Sequence, residues 1–440
     1  MQSWFHDLAD YADALRGEGE ELTLSLSAEE TGFSRISSGR VRQCGSIEQR
    51  DLSISLRKGG KEVCSQLMLT GSLQNDRAPL KSSISALSSA VDDLPEDPHL
   101  PDLPSPVREE YRGDGVIPEP DELTDALAGQ LEGLETCGIA MTGTMYRAAA
   151  TSGGLRRWFE APRTVIDGSM HLLGGGATRW VWAAESWEPN SALRRREQAH
   201  EMAEILARPI ETVPVGTYRA WLEPAAVRDL FQPVLWGGGF SARAVKTGSS
   251  PLACLYDGTK LDSRVVLRDH PSAVGAPLFH DSGHGIPAPV ELVSAGVGLE
   301  KLTSPRTAKE FGYEHNGAAG GEMPVGLEMA PGSIDPDQSF EQLGDGIWLS
   351  HVHYTNLSAR EGARVTGVTR WVALRVKDGK PVAPIGTVRI DDSLIRLLGD
   401  GLVDLGSRTE VLPELHTYSK RHLGGVKLPG MMVTDLRVVG

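Results

Sequence analysis

Two short stretches of this chain carry the residue types from which a metal centre is built. "FHDSGHG" holds His280, Asp281 and His284, and "WLSHVHYTN" holds His351 and His353. Neutral imidazole ligates zinc and iron. In a β-strand, residues two apart point the same way, so His351 and His353 can face one ion. The glycines of the first stretch make it a loop, which imposes no shared face on His280 and His284. Were loop and strand to converge, four imidazoles would form a zinc or iron site. The alternative is that His351 and His353 line a polar sheet face and the loop pair is solvated.

A third candidate is the helical stretch "RREQAHEMAEILARP", which contains His200-Glu201. A zinc-protease helix needs a second histidine one turn on, so that both rings reach the metal. Glu204 and Ile205 stand at the two relevant positions. The pair therefore reads as a solvated His-Glu on an amphipathic helix. Ser241 in "GGGFSAR" is followed two residues later by Arg243, where a nucleophile elbow requires glycine. Gly174–Gly176 lack the spacing of a phosphate-binding loop and read as a turn between strands. The run Arg194-Arg195-Arg196 reads as a solvated helix start. Trp158, Trp180, Trp182 and Trp187 read as core or interface.

The elements that must position these residues follow from periodicity. An amphipathic helix is predicted over 3–17, then alternating strands, with a hairpin turn at Lys58-Gly59-Gly60-Lys61. A helix is predicted from Leu80 to Val91. Residues 92–120 are acidic and interrupted by spaced prolines, which remove donors and fix φ. They read as an extended linker or wrapping loop. A helix capped by Asp121 follows to about Leu134, then three strands, then a helix over 191–208. Beyond Pro209 strands and glycine loops dominate, with a helix opening at Pro224 and short ones near Thr307–Phe311 and Asp392–Leu398. The run "GMMVTDLRVVG" reads as a buried strand. The fold class is thus α+β: an N-terminal mixed sheet-and-helix region followed by a mainly antiparallel β C-terminal domain. The expected divisions are 1–91, the linker 92–120, 121–209 and 210–440.

Composition narrows the function class. The chain has 440 residues, 40% of them hydrophobic and 23% charged, as in a globular protein of several domains. Its net charge of -15 disfavours nucleic acid and anionic membranes as partners. The four cysteines, Cys44, Cys64, Cys137 and Cys254, form no C-x-x-C pair. The N-terminal stretch lacks the pattern of a signal peptide, and no run approaches the ~20 apolar residues of a membrane span. The cytoplasm is the expected location.

The order of segments resembles the TldD/PmbA family, whose PmbA branch is also called TldE. "VPVGTYRAWLEPAAVRDLF" is similar to the strand-proline-helix segment that opens the family's C-terminal domain. "TGSSPLACLYDGTKLDSRVVLRDHP", "VTGVTRWVALRVKDGKPVAPI" and "GGVKLPGMMVTDLRVVG" resemble successive later segments. "PLFHDSGHGIPAPVELVSAGV" stands where the family has an acidic turn, with His280 and His284 in place of carboxylates. "FSRISSGRVRQCGSIEQRDLSISL" resembles the first domain.

The resemblance implies a heterodimeric zinc metallopeptidase that acts on unfolded or small peptides. In the family the zinc sits on the TldD-like subunit, held by an H-E-x-x-x-H helix and a late cysteine. Here the corresponding helix, "PAAVRDLFQPVLWGGG", has no histidine, and no cysteine follows Cys254. The pattern resembles the TldE-like branch. The expectation is a non-catalytic subunit without its own metal or cofactor, with zinc on a TldD-like partner and peptide as substrate. No catalytic residue is carried over. Two other readings stay open: a self-sufficient metal hydrolase built on His280, His284, His351 and His353, and a diverged binding or scaffold protein.

Overall fold

A computed structural model describes residues 1–131, 135–287 and 289–440. Helix α1 (Gln2–Asp13) leads into strands β1 (Glu21–Ser37), β2 (Arg40–Lys58) and β3 (Lys61–Met68), then helix α2 (Leu73–Val91). Strand β4 (Arg108–Arg112) precedes helix α3 (Pro120–Leu131). Strands β5 (Thr136–Thr151), β6 (Arg156–His171) and β7 (Ala177–Ala184) and helix α4 (Pro189–Leu206) complete the first half.

These strands make one seven-stranded sheet in the order β3-β2-β1-β5-β6-β4, with β7 also on β6. Because β1 pairs with β5 from Thr23 to Ser37, the regions on either side of residues 92–120 share this sheet. Those residues are not only linker: β4 lies parallel to β6 at its edge. The stretch also wraps onto the second half, where Arg306 pairs with Asp97 and Lys309 Nζ donates to the Leu100 oxygen at 2.6 Å. The turn at Gly59-Gly60 has φ of +57° and +75°, a backbone that glycine adopts without strain.

Helix α2 begins seven residues earlier than its periodicity suggests and includes Pro79. Its first turn is anchored by Asp76, 1% exposed, which accepts from the amides of Thr70 and Gly71 and from Trp4 Nε1. That anchor outweighs the proline. The predicted end of α3 at residues 132–134 lies outside the described residues. Leu8, Leu26, Ile54, Leu80 and Trp158 form a core between the sheet and α1 and α2. Trp180 and Trp182 share a second core with α3 and α4.

The second half opens with β8 (Gly216–Leu222) and helix α5 (Pro224–Trp236). Short elements follow: α6 (Ala242–Lys246), β9 (Leu267–Asp269), β10 (Val290–Ser294), β11 (Val297–Gly298), α7 (Pro305–Phe311), β12 (Gly326–Met329) and α8 (Ser339–Leu343). Long strands complete it: β13 (Gly346–Ala359), β14 (Arg364–Lys377), β15 (Lys380–Pro384), β16 (Arg389–Ser393), β17 (Leu402–Pro413) and β18 (Gly425–Val438), with α9 (Leu394–Leu397) between β16 and β17. The predicted helix near Asp392 is shorter because Asp392 and Ser393 still belong to β16.

The sheet is mainly antiparallel, with parallel pairs only at β12–β18 and β13–β8 among the described strands. The pairings β8–β13, β13–β14, β14–β16, β16–β18 and β18–β8 form a closed cycle. Alternation along β8 divides its residues: Ala220 and Leu222 join the large core with α5, while Trp221 joins a smaller core with Leu206 of α4. The architecture is α+β, as its periodicities predict.

Candidate functional site

The two histidines of β13 line a cleft of about 270 Å³ between the two sheets. Alternation directs Val352 inward, where it is 3% exposed, and leaves His351 and His353 on the other side. Helix α5 supplies the facing wall with Arg228, Gln232 and Trp236, one turn apart from one to the next. Arg179 comes from β7 of the first sheet, and Arg370 and Trp371 come from β14. Asp229 fixes the wall to the floor. One of its oxygens accepts from Arg228 Nη2 at 2.8 Å and the other from the Val352 amide at 3.1 Å.

The cleft is cationic. Arg179 makes a two-pronged ion pair with Asp167, at 2.8 and 2.9 Å, and Arg228 pairs with Asp229. Arg370 is exposed, and its guanidinium lies over the Trp371 ring at 4.6 Å. Among the described residues no carboxylate pairs with it. His351 donates or accepts at Nδ1 with Ser350 Oγ, 3.1 Å away. Burial of the ring holds its pKa well below the usual imidazole range, aided by Arg179, Arg228 and His353. His351 is therefore neutral at physiological pH.

The register of β13 against β14 breaks twice at this cleft, between Leu349 and His351 and between His353 and Asn356. Tyr354 and Trp371, both lining the cleft, have φ of +51° and +61°. For aromatic residues this backbone is strained, and it persists only where the surroundings enforce it.

The loop histidines lie elsewhere. His284, 7% exposed, contacts Ser282 Oγ at 3.0 Å and His315 edge-on at 5.5 Å between centroids. Burial, with His315 and Arg57 adding to it, lowers its pKa to about 4. The loop packs on the first sheet, with Arg157 over the Phe279 ring. Among the described residues no three of His, Cys, Asp and Glu gather as ion ligands, so loop and strand do not join in one centre. His200 and Glu201 are exposed on α4. Arg195 in the arginine run pairs with Glu410 at 2.7 Å rather than being solvated. Ser241 caps α6 and donates to Glu322, and Gly175 and Gly176 form the β6–β7 turn. The four cysteines are free.

Sequence reasoning missed Arg179, Arg228, Asp229, Gln232, Trp236 and Arg370. One signal was available: Arg228 and Gln232 form a polar stripe at helical spacing on a helix whose only other polar residue is Asp229. A larger hollow of about 490 Å³ lies against α1 and β4, wholly on the first sheet.

A family profile for the PmbA/TldA metallopeptidase C-terminal domain matches residues 215–440, the segment that contains α5, β13 and β14. The chain belongs to the PmbA/TldD family. No curated protein matches it by sequence. Among solved structures, TldE from Thermococcus kodakarensis is similar with a TM-score of 0.81 and 13% identity, covering 99% of this chain and 100% of that one. A candidate modulator of a DNA gyrase from Thermotoga maritima gives 0.77 and 18%, covering 99% and 100%. Another from Bacteroides thetaiotaomicron gives 0.76 and 16%, covering 100% and 98%. At these identities the likeness establishes the fold.

The donors in the PmbA/TldD-family cleft do not fit a tetrahedral zinc site. It offers two imidazoles and one carboxylate, Asp229, whose oxygens are already engaged. Arg179 and Arg228 oppose a cation there. No helix among the described residues is long and apolar enough to cross a membrane.

Proposed function

We propose that the chain is a TldE-like, non-catalytic subunit of a two-subunit zinc peptidase acting on unfolded or small peptides in the cytoplasm. One observation carries this reading. In a chain of the metallopeptidase family, the cleft wall formed by α5 carries Arg228, Asp229, Gln232 and Trp236 instead of imidazoles. The absence of any cysteine after Cys254 supports it, as does the likeness to a protein described as TldE. In this reading a TldD-like partner holds the zinc and cleaves the peptide. This chain completes the chamber and offers strand edges, where main-chain hydrogen bonds hold an extended peptide with little side-chain preference.

The test combines elemental mass spectrometry with a peptidase assay on the chain alone and after co-expression with a TldD-like protein. The expected result is near-zero zinc and no hydrolysis alone, and zinc-dependent hydrolysis by the pair. About one metal per chain with hydrolysis by the chain alone would overturn the reading. Failure to associate with any TldD-like protein would favour a scaffold.

A further inference from the structure

The cationic cleft does not end at Trp371. A second hollow of about 330 Å³ shares Arg370 and Trp371 with it and runs on past Gly176, Ala177, Thr369 and Thr387. Together they make one trough along β14 whose two ends differ. One end is lined by Arg179, Arg228, Arg370, His351 and His353. The other is lined by Gly176, Ala177, Thr369, Ile385 and Thr387, with the His171 ring against Trp371.

We propose that this trough receives a carboxylate of a peptide, with Arg370 as its ion partner and the end beyond Trp371 holding the neighbouring peptide residues. This rests on the peptide-binding reading given above and names where on this subunit the peptide is held.

The charge arrangement is the first argument. Arg179 and Arg228 are held by their own acids, Asp167 and Asp229, which fixes their positions and compensates their charge. Arg370 has no such acid among the described residues and is exposed, so its five donors are available to an incoming anion. Stacking on Trp371 orders the guanidinium without using those donors. A planar carboxylate is the matching acceptor. In a chain of net charge -15, a local cationic trough also concentrates anions that the rest of the surface repels.

The strain at Tyr354 and Trp371 is an independent argument. Two aromatic residues with positive φ flank the same trough, at two of the three register breaks of this strand pair. Such backbone clusters where side chains must be held for a ligand. With Trp236, 67% exposed, they give peptide carbons an apolar surface beside the charge.

A carboxylate has two sources in a peptide, the C-terminus and an acidic side chain. The test is a tryptophan-fluorescence titration of the full chain with three probes: N-acetyl-tetraalanine as free acid, the same peptide as C-terminal amide, and N-acetyl-Ala-Glu-Ala-Ala amide. Binding of the free acid alone assigns the trough to the C-terminus. Binding of the glutamate amide as well assigns it to carboxylates in general. Arg370→Gln should weaken binding about ten- to hundredfold, as for loss of a charge-assisted hydrogen bond. Arg370→Lys should recover part of it. Circular dichroism and the melting temperature should not move in either variant, because Arg370 is a surface residue.

Equal affinity for free acid and plain amide, or no change in Arg370→Gln, would overturn the proposal. No binding by the isolated chain, with hydrolysis by a TldD-like pair unaffected in Arg370→Gln, would overturn it and leave the subunit reading standing. Carboxylate binding by a chain that forms no active pair would support the trough and sink the subunit reading.

Discussion

Arg421 donates through Nη2 to the main-chain oxygen of Arg163 at 3.0 Å, so a loop of the second half is bolted into the sheet of the first. The Arg421 amide reaches the buried Glu29, and its other terminal nitrogen reaches Thr31 Oγ1 at 3.3 Å. Burial lowers the Arg421 pKa to about 10, which leaves it charged at any working pH. Arg163 in turn donates to the Val274 oxygen at 3.0 Å. The chain thus crosses from second half to first and back through two guanidiniums.

Arg421→Ala should therefore destabilise the protein by about 2–4 kcal/mol, through lost charge-assisted hydrogen bonds and a cavity. Equilibrium urea unfolding measures this. A change below ~0.5 kcal/mol would mean that the loop does not couple the halves.

Each sheet lays a tryptophan over a glycine. Trp180 covers its cross-strand partner Gly168, and Trp221 covers Gly430. A methyl group at either glycine would come within 2.3 Å of an indole carbon. Gly430→Ala should cost roughly 1–3 kcal/mol by overpacking, and Gly168→Ala a similar amount. Thermal melts of both variants check this, and wild-type stability in either would contradict the packing described.

Glu223 caps the start of α5 and accepts from Trp221 Nε1. Burial, with Glu410 nearby, raises its carboxyl from the ordinary 4.5 to about 7. The folded state then holds a proton that the unfolded state releases, so this group's contribution to stability falls as pH rises from 4.5 to 7. Glu223→Gln should leave stability nearly unchanged near pH 4 and raise it by about 1–3 kcal/mol at pH 8. Denaturant titrations at both pH values would show it. The same gain at both would disprove the raised pKa.

Chelation should not move the melting temperature of the isolated chain. A ligand at a hundred times its dissociation constant stabilises by about 2.7 kcal/mol, a shift readily seen by calorimetry. A drop of several degrees with EDTA would show a resident metal.

Much of the fold was legible because it rests on local pattern. The alternation in "DLSISL" and the glycine pair at 59–60 specify the β2–β3 hairpin without help from distant residues. The periodicity of 191–208 likewise specifies α4. The start of α2 was hidden because Asp76 is satisfied by Thr70, Gly71 and Trp4, and the last of these is 72 positions away. The candidate site was half legible. The i,i+2 rule put His351 and His353 on one face. No local pattern could bring Arg179, from another sheet, or Arg370, across a broken register, to the same cleft.

The place of β18 sets an order of events during synthesis. It is made after the four strands that it joins, β8, β12, β16 and β17. The Arg421 bolt lies only a few residues before it. At roughly 5–20 residues per second, the ~200 residues between β8 and β18 take on the order of 10–40 s to make. Through that time β8 waits with an open edge, and Glu29 waits for the amide that binds it. Neither half can be finished as a nascent domain. A chain released before residue 425 lacks the one strand that pairs with all four, and its second sheet stays unclosed.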